Sequence, residues 1–322
     1  MDRMNAKTAL IGDIGGTHAR FALADLSDPA GPAIRELRNL PSADFGSLED
    51  AVRAYLETAK AKPPVAVLAV AGPVNNGEVI LTNLSWHASE AALVKLGFAR
   101  ARLVNDFRAL AAAADLLQDT NLEIVGPELE RAANATIAIV GAGTGFGSAA
   151  LVREPEKRIA LAGEGGHIGF SPEDGTEIEI LKILSRRFGR VSIERIVSGP
   201  GLVNLYEALC EIDSAKKEFS EPPQIVEAAT QNNKLARAAV ERFCAIFGAA
   251  AGDIALAFGA RGGVLIAGGL SEAMTTFLKA GGFRARFEGK GRLAHLVREI
   301  PTHMIRRDDT ALLGCARLAM DD

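Results

Sequence analysis

Cysteine is scarce in this 322-residue chain: Cys210, Cys244 and Cys315 stand far apart, with no C-x-x-C pair. That argues against a disulfide framework and a cysteine zinc site, and it suits a reducing compartment. Long apolar runs are missing too. The most apolar stretch, Ala245 to Phe258, carries Asp253 and falls well short of the ~18 apolar residues of a membrane span. There is no run of five basic residues, and the formal net charge is −4, so nothing marks a nucleic-acid binder. Met1 to Lys7 lacks the apolar segment of a secretory signal, and no low-complexity tract is visible. These absences lead us to expect a soluble, cytoplasmic protein with no membrane and no nucleic-acid partner. At 48% hydrophobic and 24% charged residues, the chain is of ordinary globular composition and long enough for two domains.

Two common nucleotide motifs are absent as well. Thr8 to Ile11 reads as a buried strand that breaks into Gly12-Asp13-Ile14-Gly15-Gly16-Thr17, and strand pattern resumes from Arg20 to Ala24. A dinucleotide fingerprint would open a helix with G-x-G-x-x-G, and a Walker A loop would carry G-K-[ST]; neither is here. What remains is a glycine hairpin. It is either a tight turn with no ligand or a phosphate cradle, since glycines let successive backbone N–H groups converge on an anion. Thr17 adds a hydroxyl. Asp13 would repel phosphate unless a cation lay between them, which implies Mg²⁺ held through water. The same device returns at Thr136 to Val140, Gly141-Ala142-Gly143-Thr144-Gly145-Phe146-Gly147 and Ala149 to Val152. Two such hairpins suggest a nucleotide clamped between two similar half-structures. A third strand–glycine junction, Gly262 to Ala267 running into Gly268-Gly269, is either an ordinary βα turn or an approach for a base or ribose.

Other stretches carry polar groups. Residues 47–60 read as an amphipathic helix with Ser47 and Asp50 as a capping pair, stopped by Pro63-Pro64. Val65 to Ala71 and Glu78 to Leu81 read as strands, followed by Thr82-Asn83 and Trp86, a core anchor. A helix near 88–96 leads to Leu103-Val104, which delivers Asn105 and Asp106 to a strand end, with helix from Arg108. An Asp at such a junction is commonly a helix N-cap; at the carboxyl end of a strand it is also well placed for a ligand. Asp119 to Ala133 reads as loop. Gly163-Glu164-Gly165-Gly166-His167 puts a carboxylate and an imidazole on a flexible turn, either a plain surface turn or a site for a small polar ligand. Glu194, ahead of the turn Ser198-Gly199-Pro200-Gly201, is either a solvated ion pair with Arg195 or a second ligand group. Residues 211–224 read as a surface excursion, and Leu235 to Phe258 as one helix or two interrupted near Gly248 or Gly252. Leu296 to Ile305 looks strand-like around Pro301, and Thr310 to Met320 is a last helix whose Ala311-Leu312-Leu313 face needs cover. The order of elements indicates an α/β protein with mixed sheets.

The ordered set G-D-I-G-G-T-x-A-R (12–20), N-D-F (105–107), G-A-G-T-G-F-G (141–147), G-E-G-G-H (163–167), S-x-E-R (192–195), S-G-P-G-L-V-N-L-Y (198–206) and I-A-G-G (266–269) resembles the bacterial glucokinase family nearly end to end. The resemblance implies the two-lobed actin-like ATPase (ribonuclease H-like) fold, α/β with mixed sheets and an interlobe active-site cleft. Residues 1–116 plus 308–322 would form the small lobe and 117–307 the large one. It implies ATP-dependent phosphorylation of glucose at the 6-hydroxyl, with Asp106 as catalytic base and Asn105, Glu164, His167 and Glu194 as sugar ligands. Gly12, Asp13, Ile14, Gly15, Gly16 and Thr17, with Gly143, Thr144 and Gly145, resemble the phosphate loops. Gly268 and Gly269 resemble the adenosine-side turn. Mg²⁺ would accompany ATP near Asp13, and a homodimer is expected. His18 departs from the Asn common in the family after G-G-T. The cysteine cluster of the related ROK sugar kinases is absent, so no structural zinc is expected. Two alternatives stand beside this reading. A hexokinase of broader sugar range is one, and a glucose-sensing regulator without turnover is the other. The regulator is disfavoured because the first strand starts near residue 8, with no helix-turn-helix ahead of it.

Overall fold

The computed structural model describes residues 7–28, 31–81, 84 and 86–321, so the Thr82-Asn83 pair lies outside the described residues. The chain divides into two units: Met1–Gln118 with Arg158–Ala162 and Arg307–Asp322, and Asp119–Lys157 with Gly163–Arg306.

In the first unit, β1 (Thr8–Ile14) pairs antiparallel with β2 (His18–Asp25), and β2 with the edge strand β3 (Ala33–Pro41). No element was expected over 33–41, because charges such as Arg35, Glu36 and Arg38 break its apolar pattern; charged, exposed side chains are how an edge strand avoids further pairing. Helix α1 (Leu48–Ala59) follows, with the Ser47 hydroxyl accepting from the N–H of Asp50 as a cap. Then come β4 (Val65–Val70), an antiparallel pair β5 (Glu78–Leu81) and β6 (Trp86–Ser89), α2 (Glu90–Lys95), β7 (Arg100–Asn105) and α3 (Asp106–Ala113). The sheet order is β3-β2-β1-β4-β7, with β1, β4 and β7 parallel. The unbroken apolar run of β4 reflects its central place, since a parallel strand covered on both faces needs no polar side. One face shares a core with Leu48, Val52 and Tyr55 of α1 and with the buried Trp86. The other is covered by the terminal helix Thr310–Met320, which packs on α3, β1 and β4 and buries Ala311, Leu312 and Leu313.

The second large sheet repeats the plan. β8 (Leu122–Ile124) lies within residues read from the sequence as loop, and it pairs as an antiparallel edge on the sixth-strand side of the sheet. β9 (Ile137–Ala142) and β10 (Phe146–Glu154) form the antiparallel hairpin, and β11 (Lys157–Gly163) follows a turn at Pro155-Glu156. After α4 (Gly175–Phe188), α5 (Gly199–Ile212), α6 (Pro222–Thr230) and α7 (Lys234–Phe258), β12 (Val264–Ala267) adds in parallel to β9. Short helices α8 (Gly269–Ala273), α9 (Thr275–Lys279), α10 (Gly282–Glu288) and α11 (Ala294–Arg298) precede β13 (Thr302–Ile305), parallel to β12. The order is β11-β10-β9-β12-β13-β8. In both units, a hairpin's first strand pairs in parallel with a later strand, which pairs in parallel with a third. The two glycine hairpins therefore occupy the same topological place.

Several local readings change. Ser198-Gly199-Pro200-Gly201 opens a helix instead of making a turn: the Ser198 hydroxyl accepts from the N–H of Gly201, and Pro200 sits in the first turn, where its missing N–H costs nothing. Pro222-Pro223 likewise starts α6. The segment from Leu296 is helical to Arg298 and becomes strand only after Pro301. Helix α7 is a single element of 25 residues. Its Gly248 and Gly252 are contact points, not breaks: a Cβ on Gly248 would lie 2.0 Å from the carbonyl oxygen of Phe283, and one on Gly252 2.5 Å from that of Phe287.

Candidate active site

In the first unit, β1, β4 and β7 run parallel with Ile14 beside Val70 and Val70 beside Asn105, so their carboxyl ends lie side by side. Ligands of open α/β sheets gather at such an edge. Three features meet there. The β1–β2 turn closes by the Gly15 N–H donating to the His18 carbonyl at 2.9 Å, and it leaves Gly16, Thr17 and His18 exposed. The buried Ser42 secures its far side, donating its N–H to the Thr17 carbonyl at 2.9 Å and its hydroxyl to that of Gly15 at 3.3 Å. Gly12 and Ile14 are buried within β1, so the exposed part of the expected phosphate loop is Gly16 and Thr17. Asp13 is ion-paired with Arg20, whose guanidinium also donates to the Asp308 carbonyl at 2.8 Å. Arg20 is thus a cationic partner of Asp13 within the protein.

The second and third features are Asn105 and Asp106. The cap of α3 is Asn105: its Oδ1 accepts from the Arg108 N–H at 3.1 Å, while its Nδ2 donates to the Gly72 carbonyl at 3.3 Å. An amide nitrogen has two hydrogens, so Nδ2 keeps one more donor. Asp106 is the first helical residue, where the positive end of the helix favours a carboxylate. Its Oδ1 accepts from the Phe107 N–H at 2.8 Å.

The second unit holds the remaining expected residues. The β9–β10 turn is closed by Gly143 N–H to the Gly145 carbonyl at 2.9 Å. Glu194 does not lie against Arg195 as a solvated pair. Its Oε2 accepts from the Phe146 N–H at 2.8 Å, whereas the Arg195 guanidinium stacks 4.2 Å over the ring of Phe188. A Cβ on Gly145 would crowd this bond, lying 2.5 Å from Glu194 Oε2. Phe146 is itself fixed by its ring, edge-on to Phe247 of α7 with centroids 5.7 Å apart.

Glu164 precedes a 3-10 turn over Gly165–His167, and both Glu164 and His167 are exposed. The turn is tied down by hydrogen bonds. The His167 N–H donates to the Glu164 carbonyl at 3.0 Å, and the Arg190 guanidinium to the His167 carbonyl at 2.8 Å. The Ile193 N–H donates to the Ile168 carbonyl at 2.9 Å, and Gly169 bridges Ser192, which ties the Glu194 segment to the Glu164–His167 segment.

Beside the β9–β10 turn lies a cavity of about 1040 Å³ lined by Gly143, Thr144 and Gly269 among the expected residues. Gly145 and Gly268 do not line it. Sequence reasoning assigned no role to its other wall, which the starts of α5 and α6 supply through Pro200, Val203, Asn204, Pro222 and Val226. The α5 motif was visible as part of the family resemblance; the α6 contribution had no sequence signal beyond its proline pair. Among the described residues no group of three or more His, Cys, Asp or Glu side chains is placed to hold a metal ion, and no helix is long and apolar enough to cross a membrane.

The glucokinase family model matches residues 10–322. The glucokinase of Caulobacter sp. strain K31 is 49% identical over 309 residues, covering 95% of this chain and 93% of its own length. The chain belongs to the glucokinase family. A glucokinase of Escherichia coli strain HS is 41% identical over 310 residues, covering 96% of this chain and 95% of its own. Among solved structures, a glucokinase from an Antarctic psychrotroph superposes with a TM-score of 0.89 at 37% identity, covering 98% and 99% of the two chains. A ROK-family glucokinase from Streptomyces griseus, 17% identical with a TM-score of 0.63, shares the fold. The glucokinase-family chain thus has the actin-like ATPase fold, built here around a five-stranded and a six-stranded sheet that share one five-strand order.

Proposed function

We propose that this glucokinase-family chain transfers the γ-phosphoryl group of ATP to the 6-hydroxyl of glucose, giving glucose 6-phosphate and ADP. The observation that carries the reading is that each sheet's carboxyl edge bears a glycine hairpin together with polar groups of sugar-binding type. Two relatives of the fold add support: the solved Balamuthia mandrillaris glucokinase is a complex with glucose, and the Streptomyces griseus one is a complex with glucose and AMPPNP.

In this reading Asp106 accepts the proton of the 6-hydroxyl as that oxygen bonds to the γ-phosphorus, and the bond from the γ-phosphorus to the bridging oxygen breaks to release ADP. Asn105 donates its second Nδ2 hydrogen to the sugar, and Glu164, His167 and Glu194 hold its other hydroxyls. The backbone of Gly15–Thr17 and of Gly143–Gly145 holds the phosphates, with the adenosine in the cavity beside Gly269. Phosphoryl transfer depends mainly on such positioning and charge neutralisation. Asp13 suits Mg²⁺ as a hard oxygen ligand through water, in keeping with an ion that takes most of its ligands from phosphates and water. Mg²⁺ would neutralise phosphate charge. The enzyme is proposed to act in the cytoplasm as a homodimer, which sedimentation velocity checks.

The test is ADP formation from MgATP with and without glucose, in wild type and Asp106→Asn. Loss of a general base lowers the rate by about 10²–10⁴-fold. A mutant within tenfold of wild type would place the base elsewhere. A wild type that binds glucose without turnover would overturn the kinase reading in favour of a sensor.

A further inference from the structure

Glu164 is held from below by a residue that no motif contains. Ser148, on β10, is 2% exposed. Its hydroxyl accepts from the Gly165 N–H at 2.9 Å and donates to the Gly163 carbonyl at 3.2 Å. Gly163 and Gly165 are the two neighbours of Glu164, so one buried hydroxyl fastens the backbone on both sides of that carboxylate. A hydroxyl can do this because it is donor and acceptor at once. The fit is close: a Cβ on Gly165 would lie 2.5 Å from Ser148 Oγ, and one on Gly166 2.5 Å from the Phe146 carbonyl. The glycines of G-E-G-G-H therefore let the turn sit directly on β10, and Ser148 sets its register there.

We propose that Ser148 is a positioning residue for glucose: it orients Glu164 by clamping Gly163 and Gly165, and touches no substrate itself. The inference rests on the sugar-binding role proposed for Glu164. Its consequence is selective. Losing the hydroxyl lets the Glu164 backbone shift and weakens the hold on glucose, while the nucleotide cavity, lined by other segments, is untouched. The Michaelis constant for glucose should rise by about 5-fold, and at most about 150-fold, the range of one lost hydrogen bond that leaves a buried N–H unpaired.

The experiment is a set of four proteins in the coupled assay: wild type, Ser148→Ala, Glu164→Gln and the double variant, with glucose and ATP titrated separately. Thermal unfolding is recorded for each. The expected result is a raised glucose KM in Ser148→Ala with ATP KM and kcat within about twofold of wild type. Adding Ser148→Ala to Glu164→Gln should cost little more, because residues acting through one another are not additive. Ser148→Thr, which keeps the hydroxyl, should retain most of the glucose affinity; Ser148→Cys, close in size with a weak acceptor, should fall between it and Ser148→Ala. Lowered thermal stability in Ser148→Ala with an unchanged glucose KM would overturn the proposal and leave Ser148 a structural residue. An additive double variant would do the same. If Glu164→Gln itself leaves glucose KM unchanged, the site reading fails, and that outcome is distinct from failure of the positioning role alone.

Discussion

Gly145→Ala separates what the β9–β10 turn does for the sugar from what it does for the nucleotide. Gly145 lies outside the left-handed region, so alanine meets no backbone strain. The added methyl would stand 2.5 Å from Glu194 Oε2, closer than the 3.0 Å that real Cβ atoms keep, so the carboxylate has to move by about half an ångström or more. That movement strains its bond to the Phe146 N–H, 2.8 Å long in the protein. A hydrogen bond to a charged group contributes about 1.5–3 kcal/mol. If glucose needs the carboxylate where Phe146 holds it, that range becomes a rise of about 10- to 150-fold in glucose KM. The backbone N–H groups of the turn stay in place, so ATP KM should change far less. Gly143→Ala is the comparison, because a Cβ there meets nothing within 4 Å, and its glucose KM should rise less. Initial rates in the coupled assay, with glucose and ATP titrated in turn, decide the matter. A Gly145→Ala enzyme with raised ATP KM and unchanged glucose KM would refute the argument, leaving the turn a phosphate loop whose contact with Glu194 is incidental.

Two further predictions concern stability. Glu177 is fully buried, taking hydrogen bonds from Arg286 at 2.8 and 3.2 Å, from Arg242 at 3.0 Å and from the Glu173 N–H at 2.8 Å. Arg242 also pairs with Asp174 at 2.6 Å and Arg286 with Glu173 at 2.8 Å, so Glu177→Ala leaves each arginine one carboxylate and should lower unfolding free energy in urea by about 1.5–3 kcal/mol; a loss below about 1 kcal/mol would show that the network relaxes into water. His303 has its pKa lowered, first by burial and then by the charge of Arg131. A histidine more acidic in the folded state binds fewer protons there than when unfolded, so its contribution to stability is present above about pH 6.5 and declines as pH falls below that value. His303→Gln should flatten the thermal stability profile between about pH 7 and pH 5, and an unchanged profile would assign that slope to other groups.

Legibility in the sequence followed range. Buried strands such as Val65–Val70, amphipathic helices such as Leu48–Ala59 and the repeated hairpin were readable because short-range periodicity and glycines signal them. The identity of the cap was harder. Asn105 and Asp106 are adjacent, both are good caps, and only the backbone geometry assigns the cap to Asn105. The edge strand Ala33–Pro41 was invisible because its mixed polar sequence is a property of edges, not of strands in general. Contacts between distant residues carried no local trace. Glu194 meets Phe146 across 48 positions, so its next-door neighbour Arg195 was the only partner a sequence could suggest. The cavity wall at Pro222 and Val226 was unreadable for the same reason, as it depends on where α6 lands and not on which residues it contains.

The residues between 194 and 204 join what the sequence presented as separate motifs. Glu194 holds the Phe146 N–H through its side chain, and its own carbonyl accepts from the Ser198 hydroxyl at 2.7 Å. Ser198 caps α5, the Gly199 N–H donates to the Gly143 carbonyl at 2.8 Å, and Gly199, Pro200, Val203 and Asn204 line the cavity. Close packing leaves little room for one member to shift alone: a Cβ on Gly201 would already lie 2.5 Å from the Ile196 carbonyl. The Glu194 segment is therefore hydrogen-bonded to the strand after the turn and to the turn itself, besides carrying the proposed sugar ligand. Reciprocity follows for equilibrium binding, so whatever glucose does to nucleotide affinity the nucleotide must do to glucose affinity. For this reason the Gly145→Ala titrations have to be run at several ATP concentrations. A glucose KM that rises equally at each would locate the damage at the sugar, whereas one that depends on ATP would show the two sides sharing it.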